Sequence, residues 1–256
     1  MNIITLTSDY GIGSHYASMM KGKLSSIFSD ITLVEITDRH ESFDIIESSY
    51  IFNLIKSNFP SDTLHVFMVN TADAMNGHLL FAKNEHTSVL LPDNGSISMI
   101  FEESTPDVFL FDHSLFSEQE DWEVASEAVL SLFKSNDQSD QRFIKFDDYQ
   151  RKNLIRPVMN ESKLTGTVMF NDSLGHAHTN IHVSIFESFI KQHRFRILLS
   201  RHEWVENIHQ TITEVRDGEP FAAFNNRGYL YIGVKKGKSN QLMNLNKSRA
   251  IRIELI

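Results

Sequence analysis

Along the first half of the chain, short apolar runs alternate with longer stretches whose apolar residues recur every three or four positions. Residues 2–7 form a β-rich run. Ser14 is placed to cap a helix reaching residue 28, with Tyr16, Met19, Met20, Leu24, Ile27 and Phe28 at helical spacing. Residues 32–36 predict the next strand. Asp44 followed by Glu47 has capping-box spacing, with Asp in the cap role. Ile45, Ile51, Phe52 and Ile55 then mark a helix ending near Phe59-Pro60. Residues 63–70 predict a third strand, almost wholly apolar between Leu64 and Val69. Continuous apolar strands separated by helices predict a mostly parallel sheet with helices on both faces, an α/β arrangement.

Residues 79–83, 87–91 and 107–111 read as further strands, the first two joined by the turn-like Asn84-Glu85-His86. Pro92-Asp93-Asn94-Gly95 breaks the second of these. Residues 121–134 predict a helix with Val124, Ala125, Ala128, Val129, Leu132 and Phe133 on one face. The polar stretch 135–140 opens a connection that runs to about residue 163. Beyond it the pattern shortens to β-type segments at 165–171, 180–183, 195–199, 211–215, 220–224, 229–234 and 250–255, with one helix at 185–193. Many short strands between turn residues predict a small barrel or sandwich. The expected organisation is an N-terminal α/β domain with its connecting segment over 1–160 and an all-β domain over 164–256.

Composition narrows the partners. With 24 basic and 33 acidic residues the chain carries a net charge of −9. That argues against nucleic acid and anionic membranes, which need clustered Lys and Arg. No apolar run approaches the ~18 residues of a membrane span. The N-terminus reads as a first strand and not as a signal peptide. Cysteine is absent, which excludes disulfide and thiolate chemistry. The expected location is the cytoplasm.

Five blocks in order carry a resemblance. They are Leu6-Thr7-Ser8-Asp9-Tyr10-Gly11 leading to Tyr16 and Met20-Lys21-Gly22; Val34-Glu35-Ile36-Thr37 with Phe43-Asp44-Ile45; Leu91-Pro92-Asp93-Asn94-Gly95; Gly166-Thr167-Val168 with Asp172 and residues 174–181; and Asn226-Arg227-Gly228-Tyr229-Leu230-Tyr231-Ile232. Together the chain resembles the S-adenosylmethionine (SAM) hydroxide adenosyltransferase family, related to the bacterial fluorinase and chlorinase. The resemblance implies an α/β domain plus a C-terminal β-barrel. It also implies a homotrimer that binds SAM between the N-domain of one subunit and the C-domain of its neighbour. The implied reaction is attack of water at the ribose C5′ carbon, giving adenosine and L-methionine. No cofactor beyond SAM itself is implied.

Carried over residue by residue, the resemblance places Asp9 on the ribose and Asp172 on the methionine ammonium. His176 stands where the family has Asn, as a substitute polar contact. The family's Asp–Arg–His group, thought to activate water, falls on Asn70, on Gly77 or His78, and on Glu118. All three are changed, and Asn70 cannot act as a base. His78 or Glu118 is then left to position the water, and Glu118 or Asp73 to supply an alternative base.

Several residues keep a plainer reading beside the functional one. Asp9 before Gly11 and Asp93-Asn94 before Gly95 are turn-forming combinations. His176 and His178 share a face of a strand, but no further metal ligand is close in sequence. The acidic stretch from Glu118 to Glu123 suits a helix start. Asn226-Arg227-Gly228 reads either as a two-residue hairpin turn or as a place where Arg227 meets a carboxylate. Gly11-Ile12-Gly13 lacks the third glycine of a dinucleotide loop, and there is no Walker loop. Two functional expectations result: a SAM hydrolase, or a non-catalytic descendant that binds an adenosine-like ligand or serves as a trimeric assembly.

Overall fold

The structure, a computed structural model, describes residues 3–11, 14–28, 30–37, 43–102, 104–112, 120–134, 141–200 and 202–256. It divides into two compact units, Met1–Leu154 and Ile155–Ile256. The boundary falls before residue 160, because Val158 and Met159 pair with Thr165 and Leu164 of the second unit.

The first unit runs β1 (Ile3–Ser8), α1 (His15–Ile27), β2 (Thr32–Thr37), α2 (Ile45–Ile55), β3 (Leu64–Met68), β4 (Leu79–Lys83), β5 (Ser88–Pro92), α3 (Ser96–Ile100), β6 (Asp107–Phe111), α4 (Asp121–Lys134) and β7 (Phe143–Lys145). The predicted caps are in place. Ser14 Oγ accepts from Tyr16 N–H at 3.3 Å, and Asp44 Oδ1 accepts from Ile46 and Glu47 N–H at 3.0 and 2.9 Å.

The sheet order is β2-β1-β3-β5-β4-β6-β7. The strands β2, β1, β3 and β5 are parallel to one another. The strands β4, β6 and β7 join antiparallel, because the Asn84–Thr87 turn folds β4 directly back on β5. Side chains alternate across the sheet as the pleat requires. Leu64, Val66 and Met68 face the layer of α1 and α4, while Phe67 and Val69 face α2 and α3. Burial of each large side chain such as Phe52, Phe67 or Phe81 contributes about 2 kcal/mol or more.

From β1 the chain crosses to β2 on one side, then returns to β3 on the other. The carboxyl ends of β1 and β3 therefore flank a topological switch point, where open α/β sheets leave a crevice for ligands.

The second unit runs β8 (Val158–Met159), β9 (Lys163–Asn171), β10 (Ala177–His182), α5 (Val183–Ile190), β11 (Phe195–Leu198), β12 (Trp204–Val205), β13 (Pro220–Phe224), β14 (Tyr229–Val234), α6 (Ser239–Leu242) and β15 (Ala250–Leu255). The strands follow the antiparallel order β12-β11-β15-β9-β10-β14-β13, with β8 on β9. His209 N–H donates to Ala222 O at 2.8 Å, so the chain beyond β12 meets β13 and nearly closes a barrel. Phe186 and Phe189 of α5 plug its core.

Two sequence expectations need correction, and five short elements lie outside the sequence reading. Residues 211–215 are not a strand but hold a 3-10 turn, Ile212–Glu214. The strand expected at 180–183 starts earlier, at Ala177, and α5 takes Val183. The short β7, β8 and β12 carry too few residues for a period to register. The helices α3 and α6 span only 5 and 4 residues, too short for a visible apolar face.

Candidate functional site

The switch-point edge gathers most of the residues singled out in the first unit. Asp9 follows β1 directly. Its Oδ2 accepts from Asn70 N–H at 3.0 Å and from Phe43 N–H at 2.8 Å. Among the described residues, Oδ1 accepts no hydrogen bond. Asp9 is therefore more than a local turn former, since it pins the end of β3 and the start of α2 to the end of β1.

Asn70 lies just beyond β3 and is 6% exposed. Its backbone is left-handed, φ 51° and ψ 54°. Asn tolerates that region better than most side chains. Its Nδ2 donates to Asp73 Oδ2 at 2.9 Å. Asn94 fixes the same strand end from the other side: its Nδ2 donates to Val69 O at 2.8 Å and to Asn70 O at 3.0 Å, while its Oδ1 accepts from Ser96 N–H at 3.1 Å. The turn expected at Asp93-Asn94 is present, and its side chains also bind the neighbouring strand end.

His78 precedes β4 on this edge. Its Nδ1 lies 3.8 Å from Asp93 Oδ2, too far for a direct hydrogen bond. Neither atom has a hydrogen-bond partner among the described residues. Asp93 is 0% exposed. Burial raises its carboxyl above the usual range, opposed by the Gln150 N–H and by His78. Gln150 is the residue that sequence reasoning missed. Its N–H donates to Asp93 Oδ1 at 2.8 Å, and its Nε2 donates to Asp93 O at 2.6 Å and to Asp73 O at 3.4 Å. It sits in the connecting segment, where no periodicity or motif marks it.

Tyr10 completes the edge. Its hydroxyl is buried and has no hydrogen-bond partner among the described residues. Burial, then the charges of Asp121, Asp9 and Glu120, hold the phenol protonated far above its ordinary range. Glu118 lies outside the described residues, as does much of the block around it.

In the second unit Asp172 organises the turn from β9 to β10. Its Oδ1 accepts from Leu174 N–H at 3.0 Å and His176 N–H at 2.9 Å. Its Oδ2 contacts His176 Nδ1 at 3.0 Å and His178 Nε2 at 3.3 Å. These contacts fill the roughly four acceptor positions of a carboxylate. Burial would raise Asp172, but the bonds from the two imidazoles and from the His176 backbone outweigh it and hold the carboxyl well below the usual carboxylate range.

The His178 ring is stacked between Phe170 and Tyr231, with centroids at 4.4 and 5.4 Å. The shared face of His176 and His178 thus serves one carboxylate. No group of three or more His, Asp or Glu side chains among the described residues is placed to hold a metal ion. Gly175, at φ +82°, closes this turn against the start of α6, where a Cβ would come within 2.7 Å of Asn240 Oδ1.

Asn226 and Arg227 sit elsewhere. Residues 225–228 connect β13 to β14, and the side chain that shapes this turn is Asn225, whose Oδ1 accepts from Arg227 and Tyr229 N–H at 2.9 and 3.0 Å. Of the turn residues only Gly228 has positive φ, so a two-residue Asn-Gly type turn is not formed. Gly228 packs on His182, at the opposite end of β10 from His176. A six-residue strand spans about 20 Å. The second unit therefore brings Asp172, His176 and His178 together, and leaves Asn226 and Arg227 at the far end of the same strand pair.

Comparison with known proteins agrees with this architecture. Residues 4–137 match the SAM hydroxide adenosyltransferase N-terminal domain, and residues 166–252 match the C-terminal domain of that name. The chain is similar to an (R)-S-adenosyl-L-methionine hydrolase of Methanocaldococcus jannaschii, 25% identical over 107 residues, a match that spans 40% of each protein. Among solved structures it is similar to an uncharacterized conserved protein from Thermotoga maritima, with a TM-score of 0.82, 20% identity and coverage of 98% and 99% of the two chains. A conserved hypothetical protein from Thermus thermophilus gives a TM-score of 0.75 at 17% identity, covering 100% of both chains. At these identities the structural likeness speaks for the fold.

Proposed function

Because this chain belongs to the SAM hydroxide adenosyltransferase family, we propose that it hydrolyses SAM to adenosine and L-methionine. The observation that carries this reading is Asp9 at the switch-point edge, held through Oδ2, while Oδ1, which accepts no hydrogen bond among the described residues, is the atom to accept from ribose hydroxyls. The carboxylates of this edge also suit a cationic substrate.

The reaction asks little at sulfur, since a sulfonium already leaves readily. The site's task is to align a water with the C5′–S bond and to limit competing solvent. In this reading His78 or Glu118 helps to position the water, while Asp172 receives the methionine ammonium and His176 adds a polar contact. An ammonium reaches Asp172 by displacing the His178 bond, the longest of the four at 3.3 Å. Asn226 and Arg227 serve as a second polar contact region, the working assembly is a homotrimer, and the protein acts in the cytoplasm. Purified protein incubated with SAM is expected to release equal amounts of adenosine and methionine, followed by chromatography. No adenosine under any condition tested sinks the hydrolase reading.

A second reading is favoured by two observations: the carboxamide at Asn70 and the filled acceptor positions of Asp172. It makes the protein a catalytically degenerate member that holds an adenosine-like ligand or acts as an assembly. Calorimetric titration with adenosine, methionine and SAM tests the ligand-holding form, and light scattering tests the trimer.

A further inference from the structure

We infer that Asp73 is the group that accepts the proton of the attacking water, with Asn70 as the residue that positions it; this rests on the hydrolase reading above. The juxtaposition that carries it is a matched pair at the end of β3. Asn70 Nδ2 donates to Asp73 Oδ2 at 2.9 Å, while its own backbone N–H is bound to Asp9 Oδ2. Asp73 is thereby tied, through one residue, to the carboxylate assigned to the ribose.

Asp73 is held at three points, two on its main chain and one on its carboxylate. Its main chain closes a 3-10 turn on Asn70, with Asp73 N–H donating to Asn70 O at 3.4 Å. Its carbonyl accepts from Gln150 Nε2. Its Oδ2 is occupied by the Asn70 amide. The side chain is nonetheless exposed, and among the described residues Oδ1 accepts no hydrogen bond. A base needs this combination of fixed direction and one open lone-pair face.

The pair also explains why an amide stands at position 70. A second carboxylate there would face Asp73 Oδ2 at hydrogen-bond distance, and like charges so placed repel strongly. Three other groups on this edge are less suited to the task, and His78 is assigned to positioning the water. Asp93 is fully buried, Tyr10 is held protonated, and Asp9 is assigned to the ribose.

In the step, one O–H bond of water breaks and its proton passes to Asp73 Oδ1. The water oxygen forms a bond to C5′, and the C5′–S bond breaks with its electron pair going to sulfur. The sulfonium becomes the neutral thioether of methionine, and Asp73 later releases the proton to solvent.

The test compares Asp73→Asn, Asn70→Asp and the exchanged pair Asn70→Asp/Asp73→Asn by steady-state adenosine release, with the fold of each verified by circular dichroism. Asp73→Asn is expected to lower kcat roughly a hundredfold to ten-thousandfold while KM holds. Asn70→Asp lowers kcat as well, through repulsion. The exchanged pair recovers about tenfold over either single variant, because the carboxylate and amide are again matched. A kcat in Asp73→Asn equal to the wild type, or a double variant no better than Asp73→Asn, overturns the inference and leaves the hydrolase reading standing. Wild-type protein that makes no adenosine overturns the hydrolase reading itself, and the inference with it.

Discussion

The backbone N–H of Asn70 donates to Oδ2 of Asp9 at 3.0 Å, joining the residue after β3 to the residue after β1 across the switch point. Phe43 N–H binds the same oxygen at 2.8 Å. One carboxylate therefore holds three chain segments that are far apart in sequence. Replacing Asp9 by Ala removes two charge-assisted bonds and is expected to lower stability by about 1–3 kcal/mol, read from urea midpoints. SAM affinity, followed by calorimetry, falls as well. Asp9→Asn retains an acceptor and recovers part of the stability but less of the affinity. Equal affinity in all three proteins would remove Asp9 from the ligand's surroundings.

His65 is 2% exposed and gives the first unit an acid limit. Its Nδ1 lies 2.7 Å from Thr5 Oγ1, and Phe52 and Phe59 pack edge-on to its ring. Burial first, then the charge of Lys56, lower its pKa from 6.5 to about 4. The folded value lies below the unfolded one. Its contribution is therefore complete above about pH 6.5 and is lost as pH falls toward 4. We expect about 2 kcal/mol to be lost by pH 5 from this group. Urea denaturation of wild type and His65→Leu at pH 7 and pH 5 isolates it, the variant having the shallower pH dependence.

Asp172 sets the corresponding limit in the second unit. Its pKa is depressed, so its contribution is present above the ordinary value of 3.8 and disappears as pH falls below it. Asp172→Asn presents an amide N–H toward imidazole donors. We expect a loss of about 1–3 kcal/mol at pH 7, with a changed near-ultraviolet dichroism from Tyr231, whose ring stacks on His178. A variant as stable as the wild type would mean that the two histidines find other acceptors at no cost.

Gln150 holds the loop that follows β3. Truncation to Ala removes the Nε2 bonds to Asp93 O and Asp73 O but keeps the backbone bond to Asp93 Oδ1. The expected loss is about 1 kcal/mol. Hydrogen exchange reports it locally, as faster exchange at Met75 N–H, which donates to Asp93 O at 2.8 Å. Unchanged exchange there would show that the loop is held by its own turns.

Much of the architecture is legible in local signals. Ser14 and Asp44 announce the starts of α1 and α2, because a side-chain acceptor must satisfy the free N–H groups of a first turn. The strands β6, β13, β14 and β15 and the helix α4 have the predicted bounds, since each carries enough residues for its period to register. The site is less legible. Asp9 and Asn70 are separated by 61 positions, and nothing local shows that they share a hydrogen bond. Gln150 reaches Asp93 over 57 positions from a segment without pattern.

By itself the sequence determined the alternation of strands and helices, the change to short strands in the second half, and the family blocks around Asp9, Asp93 and Asp172. Apolar periodicity and capping act over a few residues, so they can be read along the chain. Only the tertiary structure decided that β4, β6 and β7 join the sheet antiparallel, that two histidines share Asp172, that Asn226 and Arg227 lie at the far end of β10, and that Asn70 pairs its amide with Asp73. Those relations depend on which distant segments meet, and that is set by strand order and by the direction in which each element enters the fold.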